Sequence, residues 1–270
     1  MPDFIHMYQT GGNVGWPSLK DYIQININCT YKTDIRDPYI PYHLKKEDEI
    51  TSIAEKMVRT KVFDISDPSK AYDPFPIEIE HEKKAILDPT KRPLGVLYDG
   101  YRLMNLFREL LPESELSFKH LHIIFTNRLI GTWEKGSGSY HARVCVLGFP
   151  CIISTTGVVE APAKPREFYI ARRALVASGM AGDIVEAELK KKFAGRFIDY
   201  GDKRLIDILK GYIIQALFYH ATFDPFCHDK HCRLFNAHWQ EDMIQAQLGG
   251  KEFCERHEGI LGRIIKGNMC

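Results

Sequence analysis

Four soft metal ligands near the C-terminus constrain this chain more than any other feature. Cys227 and Cys232 are separated by four residues, and Cys254 and His257 by two. The two pairs are separated by 21 residues, enough for a helix through Trp239, Ile244 and Leu248. Tetrahedral zinc takes thiolate and imidazole donors, and two paired knuckles deliver four of them with little loop entropy to overcome. The Cys-x4-Cys…Cys-x2-His spacing therefore predicts one zinc held by Cys227, Cys232, Cys254 and His257. Four protein ligands leave no open coordination position, so this ion would be structural. His228 and His231, inside the first knuckle, read as exposed neighbours of the site. The competing reading is four unrelated buried or surface residues.

The wider cysteine distribution agrees with metal rather than disulfides. Three of the seven cysteines and five of the eleven histidines fall between residues 220 and 257. The cysteine count is odd, and the opening Met-Pro-Asp-Phe-Ile-His lacks the basic and apolar blocks of an export signal. Cys29, Cys145 and Cys151 sit in apolar surroundings and read as small buried hydrophobes. Lys plus Arg (36) against Asp plus Glu (35) leaves a formal charge of +1. That balance gives no bulk attraction to nucleic acid or an anionic membrane. No apolar run approaches the ~20 residues of a membrane span. A cytoplasmic protein is expected.

Hydrophobic spacing gives a mixed α/β or α+β fold. Strands are expected at 22–28, where Ile23, Ile25 and Ile27 alternate with polar residues, and at Ile77–Glu80, 120–126, 142–148 and 151–156. Helices are expected at 46–58, after Asp99 to Leu111, at 167–177 and 183–193, and from Leu205 to His220. The last is apolar on nearly every side, too apolar for a surface helix, and should be central. Residues 87–93 are the best internal boundary. The chain then divides into an N-terminal αβ segment at 1–90, an αβ core at 91–223 and a C-terminal zinc-binding helical subdomain at 224–270.

The segment from Leu205 to His257 resembles the archaemetzincins, zinc metallopeptidases of the metzincin group. In that family a helix with His-Glu-x-x-His-x-x-Gly-x-x-His runs straight into Cys-x4-Cys-x-Met, followed some twenty residues on by Cys-x2-Cys. Here Cys227-x4-Cys232-x-Leu234 matches the first knuckle and Cys254-x2-His257 the second, with Leu for Met and His for the last Cys. Leu121–Phe125 and Ala142–Val146 are similar to the strands that precede the family's active-site helix. The chain also resembles a group of archaeal proteins assigned to the metallopeptidases. The resemblance implies a metzincin-like mixed, twisted sheet packed on helices, and an archaeal source.

The catalytic helix departs from that pattern. Counting back from Cys227, the family's first histidine falls on Ala216, its glutamate on Leu217, its second histidine on His220, and its last ligand on Phe226. One of three ligands remains and the general base is missing, while a catalytic zinc needs about three protein ligands and a carboxylate beside its water. His120, His122 and His141 are further donors, and a rebuilt site could recruit His220, His238 and Glu241. Three functional readings follow. The first is a non-catalytic, zinc-stabilised accessory protein whose cleft binds an extended protein segment along strand 142–148. The second is a working zinc peptidase with a rebuilt ligand set including His220. The third is a subunit of a larger complex, docked through 1–90. The first and third expect one structural ion and no second, catalytic one.

Overall fold

A computed structural model describes residues 2–11, 15–27 and 31–265. Cys29, and Asn28 at the end of the expected first strand, lie outside the described residues. The chain opens with β1 (Phe4–Tyr8), α1 (Trp16–Asn26), β2 (Lys32–Arg36), α2 (Tyr39–His43), α3 (Glu47–Val58) and α4 (Pro76–Leu87). Next come β3 (Leu97–Asp99), α5 (Gly100–Arg108), β4 (His120–Thr126), β5 (Leu129–Glu134), β6 (Ser139–Arg143), β7 (Cys145–Val146) and β8 (Cys151–Ser154). Six helices follow: α6 (Thr155–Glu160), α7 (Arg166–Ala177), α8 (Gly182–Lys192), α9 (Leu205–Thr222), α10 (Gln240–Leu248) and α11 (Glu255–Ile265).

The main sheet has the order β2-β1-β4-β8-β7, with β7 antiparallel and the other strands parallel. A smaller sheet has the order β3-β5-β6. Parallel strands covered on both faces read as continuous apolar runs, which makes 120–126 and 151–156 legible, although the second strand ends at Ser154, whose side chain caps α6. Side chains alternate across the main sheet. Ile5, Met7, Leu121, Ile123 and Ile153 face one core with α1 and α9, while Tyr8, Ile124 and Ile152 face a second with α2, α3 and α5. Helices α7 and α8 close a small cluster of their own around Phe168, Leu189 and Phe193.

Several expectations are corrected. Residues 22–26 are helical, not a strand: the buried set of α1 is Trp16, Leu19, Tyr22 and Ile23, and Ile25 is 77% exposed. The alternating isoleucines are a short coincidence inside a helical period that starts upstream at Trp16. Ile77–Glu80 likewise belong to a helix, α4, opened by Pro76 in its first turn and by Glu78, which accepts from the Phe75 amide at 3.1 Å. That helix buries Glu82 to 1% exposure against Arg128 (Nε to Oε1 2.7 Å) and the Tyr98 hydroxyl (2.6 Å). The expected strand 142–148 breaks at Val144. Its first half pairs with β5 in the small sheet, and its second with β8 in the main one. Gly157 permits this corner, because a Cβ there would lie 2.4 Å from the Arg143 carbonyl oxygen.

The expected boundaries do not divide the packing. Strand β1 of segment 1–90 lies between β2 and β4 in the main sheet. The C-terminal stretch shares one core with the sheet, since Cys232, Leu234, Met243, Phe253 and Leu261 join the cluster of Ile5, Ile123 and Phe218. Helix α9 is central, as its composition requires, and ends at Phe223 in the left-handed region (φ 57°). Among the described residues no helix is long and apolar enough to cross a membrane.

The Glu82–Arg128 pair gives a direct test of the second core. Glu82→Gln leaves a buried guanidinium without its counter-charge, which costs ~3 kcal/mol. The urea midpoint at pH 7 should fall accordingly. An unchanged midpoint would mean the pair contributes nothing to stability.

Candidate metal centre and cleft

Beyond Phe223 the chain folds back on itself to make two knuckles. Cys227 N donates to the Leu234 carbonyl at 2.8 Å, and Phe235 N to the Cys232 carbonyl at 2.9 Å. Cys254 precedes α11, and His257 sits in its first turn, with His257 N donating to the Cys254 carbonyl at 2.9 Å. One donor atom from each of Cys227, Cys232, Cys254 and His257 falls within 4.8 Å of the others. Cys227 Sγ is 3.8 Å from Cys254 Sγ, and His257 Nδ1 is 3.7 Å from Cys232 Sγ and 3.1 Å from Cys254 Sγ. A zinc tetrahedron with Zn–S ~2.3 Å and Zn–N ~2.0–2.1 Å has edges of about 3.8 Å and 3.6 Å. The 3.8 and 3.7 Å separations match those edges and the 3.1 Å one is shorter, and three thiols with an imidazole are a donor set that suits the ion. His228 and His231 are exposed and stand outside the group.

The surroundings act on the sulfurs individually. Burial pushes the Cys232 thiol up to about 12. Burial alone would raise Cys254 too, but the amides of His257 and Arg256 and the thiols of Cys227 and Cys232 hold it below its ordinary value. The Asp229 amide donates to Cys227 Sγ at 3.3 Å. The Phe218 ring meets His257 edge-on, with centroids 5.6 Å apart, so the knuckle rests directly on α9.

Beside α9 lies a cleft of about 840 Å³, lined in part by Phe226, Phe235 and Ala237 of the knuckle segment. Tyr212, Gln215 and Tyr219 of α9 form one wall, Ala142 and Arg143 of β6 another, and His238 stands at the rim. Ala216 and Leu217, where the archaemetzincin pattern places a ligand and its base, point into the core instead. His220 turns away from the cleft and donates through Nε2 to the Phe118 carbonyl at 2.8 Å. Its burial lowers its pKa, against the pull of that carbonyl. Glu241 accepts from Arg196 at 2.6 Å on the surface. The structure does not bring His220, His238 and Glu241 into one ligand group.

A second donor cluster went unread as a unit. His6 of β1 and His120 and His122 of β4 place ring nitrogens within 4.8 Å of one another. His120 and His122 were visible as donors two apart on a strand, hence on one face. His6 lies in a five-residue strand, too short for its period to stand out, and only the β1–β4 pairing shows its neighbours.

No curated protein matches the chain. The archaemetzincin of Methanopyrus kandleri, a solved structure, aligns over 98% of this chain and 96% of its own, with 10% identity and a TM-score of 0.46. The family model described as "Probable metallopeptidase family (DUF6775)" matches residues 1–264. The match spans both cores, the knuckles and the cleft, and the chain belongs to that family.

Proposed function

We propose that this member of the family holds an extended segment of a partner protein in the cleft beside α9, without hydrolysing it, on a fold stabilised by zinc. The observation that carries the reading is the position of β6. It is the outer strand of the small sheet and borders the cleft, with its ladder to β5 on one side and, on the other, the Tyr140 amide already donating to the Ile65 carbonyl at 2.8 Å. An outer strand offers amides and carbonyls to an added strand, and flanking pockets take alternate side chains. The opposite wall offers tyrosine rings and the Gln215 amide, which suit backbone and apolar side chains alike. Hydrolysis would need an activated water held by about three protein ligands. The expected ligand positions are filled by Ala216, buried in the core, by His220, committed to Phe118, and by Phe226, which lines the cleft.

Zinc enters this reading through Cys227, Cys232, Cys254 and His257. When bound it supplies cross-linking of the two knuckles and no open position for chemistry. The thiols in the described chain are free, which suits a reducing, cytoplasmic setting.

Elemental analysis of the purified protein should find one equivalent of zinc that disappears in Cys227→Ser. The variant should also melt at lower temperature and become protease-sensitive, since metal binding and folding are linked here. Wild-type zinc content in a Cys227→Ser variant of unchanged stability would refute the site.

Unfolded casein, added in excess, should slow hydrogen exchange of β6 amides and remain uncut with zinc present. Ala142→Pro, which removes one donor of the outer strand, should weaken that protection several-fold. Chelator-sensitive cleavage of casein by the pure protein would overturn the non-hydrolytic reading, and unaltered β6 exchange would overturn the binding one.

A further inference from the structure

The three histidines on the main sheet lie apart from both the knuckles and the cleft. Strands β1 and β4 run parallel, with Phe4 opposite His120 and His6 opposite His122. Residues two apart share a face, so all three imidazoles stand on the same side of the sheet. They stack closely: ring centroids are 4.9 Å apart for His6–His122 and 5.2 Å for His6–His120. His6 and His122 are buried, and His120 is half-buried at the outer end of the stack.

The polar shell orients the rings, with the Glu115 carbonyl 3.3 Å from His122 Nε2. His6 Nδ1 donates to Asp34 Oδ1 at 2.8 Å, which leaves its Nε2 lone pair directed at His120 Nδ1, 2.9 Å away. A carboxylate behind a ligating histidine fixes its tautomer and raises its basicity. Arg36 in turn holds that carboxylate through Nε at 3.0 Å and grips Glu115 with two bonds of 2.8 Å. The Tyr8 hydroxyl lies 3.2 Å from His122 Nδ1. Two carboxylates against one guanidinium leave the surroundings with a formal charge of −1, which favours a cation.

We propose that His6, His120 and His122 form a second metal site, which takes one divalent transition-metal ion of the kind that prefers imidazole, such as zinc or cobalt. Metal–nitrogen bonds of ~2.0–2.1 Å set donor edges of about 2.9 Å in an octahedral ion and about 3.3 Å in a tetrahedral one. The His6–His120 separation of 2.9 Å already has that length. The remaining nitrogens, within 4.8 Å, close onto the ion by side-chain rotation. Three protein donors leave at least one position for water, unlike the closed knuckle set. None of the three histidines lines the cleft, so this site stands independently of the peptide-binding reading.

The test is cobalt reconstitution of the full chain after metal removal with a chelator. Wild type should bind two equivalents. One, with intense thiolate-to-cobalt absorption, should be lost in Cys227→Ser. The other, with only weak ligand-field bands, should be lost in His6→Ala and in His120→Ala while the thiolate band stays. His120 is the half-buried member, so its variant is the one expected to keep the wild-type apo melting temperature. Asp34→Asn should weaken the second equivalent by about 10–100-fold, as loss of an orienting carboxylate does. A wild-type protein that binds a single, thiolate-ligated equivalent would show the histidines to be a hydrogen-bonded stack only. A His120→Ala protein that still binds two equivalents would equally overturn the proposal, and neither result would touch the knuckle site.

Discussion

A helix that is apolar on every side must be covered on every side, and α9 organises the rest of this molecule through that requirement. Ile208, Leu209, Ile213, Ile214, Leu217 and Phe218 are all buried in the cluster that includes the main-sheet residues Ile123 and Phe125. Burying one such side chain contributes ~1.5–3 kcal/mol relative to exposure. The sheet and α1 cover one side of the helix. The knuckle segment covers another, with Phe253 at 6.0 Å and His257 at 5.6 Å from the Phe218 ring. Helix α10 approaches closely at Gly211, where a Cβ would meet the Gln247 side chain. Only the face carrying Tyr212, Gln215 and Tyr219 is left to line the cleft.

That arrangement separates chemistry from packing. The knuckle cysteines belong to the core on one face of the main sheet, while the histidine stack shares the other face with Tyr8. The cleft lies beside α9, bordered by a strand that has left the main sheet at Val144. A metal at the knuckle would act on the cleft through the position of α9, the loop from Phe223 to Phe226 and the stretch from Phe235 to His238. In this account zinc keeps the cleft wall in place, and the cleft's own side chains do the binding.

The sequence carried most of this fold where the physical signal was long or chemically specific. Cysteine and histidine spacing marked the four knuckle donors that the fold brings within 4.8 Å, because few other constraints place such donors in pairs. Strands β4 and β8 and helices α5, α7, α8 and α9 were legible from apolar runs and helical periods of adequate length. Short windows failed. Seven residues at 22–28 imitate a strand because three isoleucines alternate, although the helical set begins at Trp16. Glu78 and Glu80 imitate the wet face of a strand, whereas Glu82, two further on, is buried by an arginine 46 residues away in sequence. The break at Val144 depends on which sheet each half joins, a tertiary choice invisible to local pattern. The histidine stack was hidden for the same reason, since register between β1 and β4 brings together residues separated by 114 positions.

The central claim is that the zinc knuckle and the sheet are joined through α9 as one cooperative unit. Native-state hydrogen exchange, followed with and without a zinc chelator, tests it most directly. The slowest amides should include those of Ile213 to Phe218, and chelation should accelerate their exchange together with that of 227–257. If chelation frees 227–257 while α9 keeps its full protection, the knuckle is an appendage, and the claim that zinc holds the cleft wall is wrong.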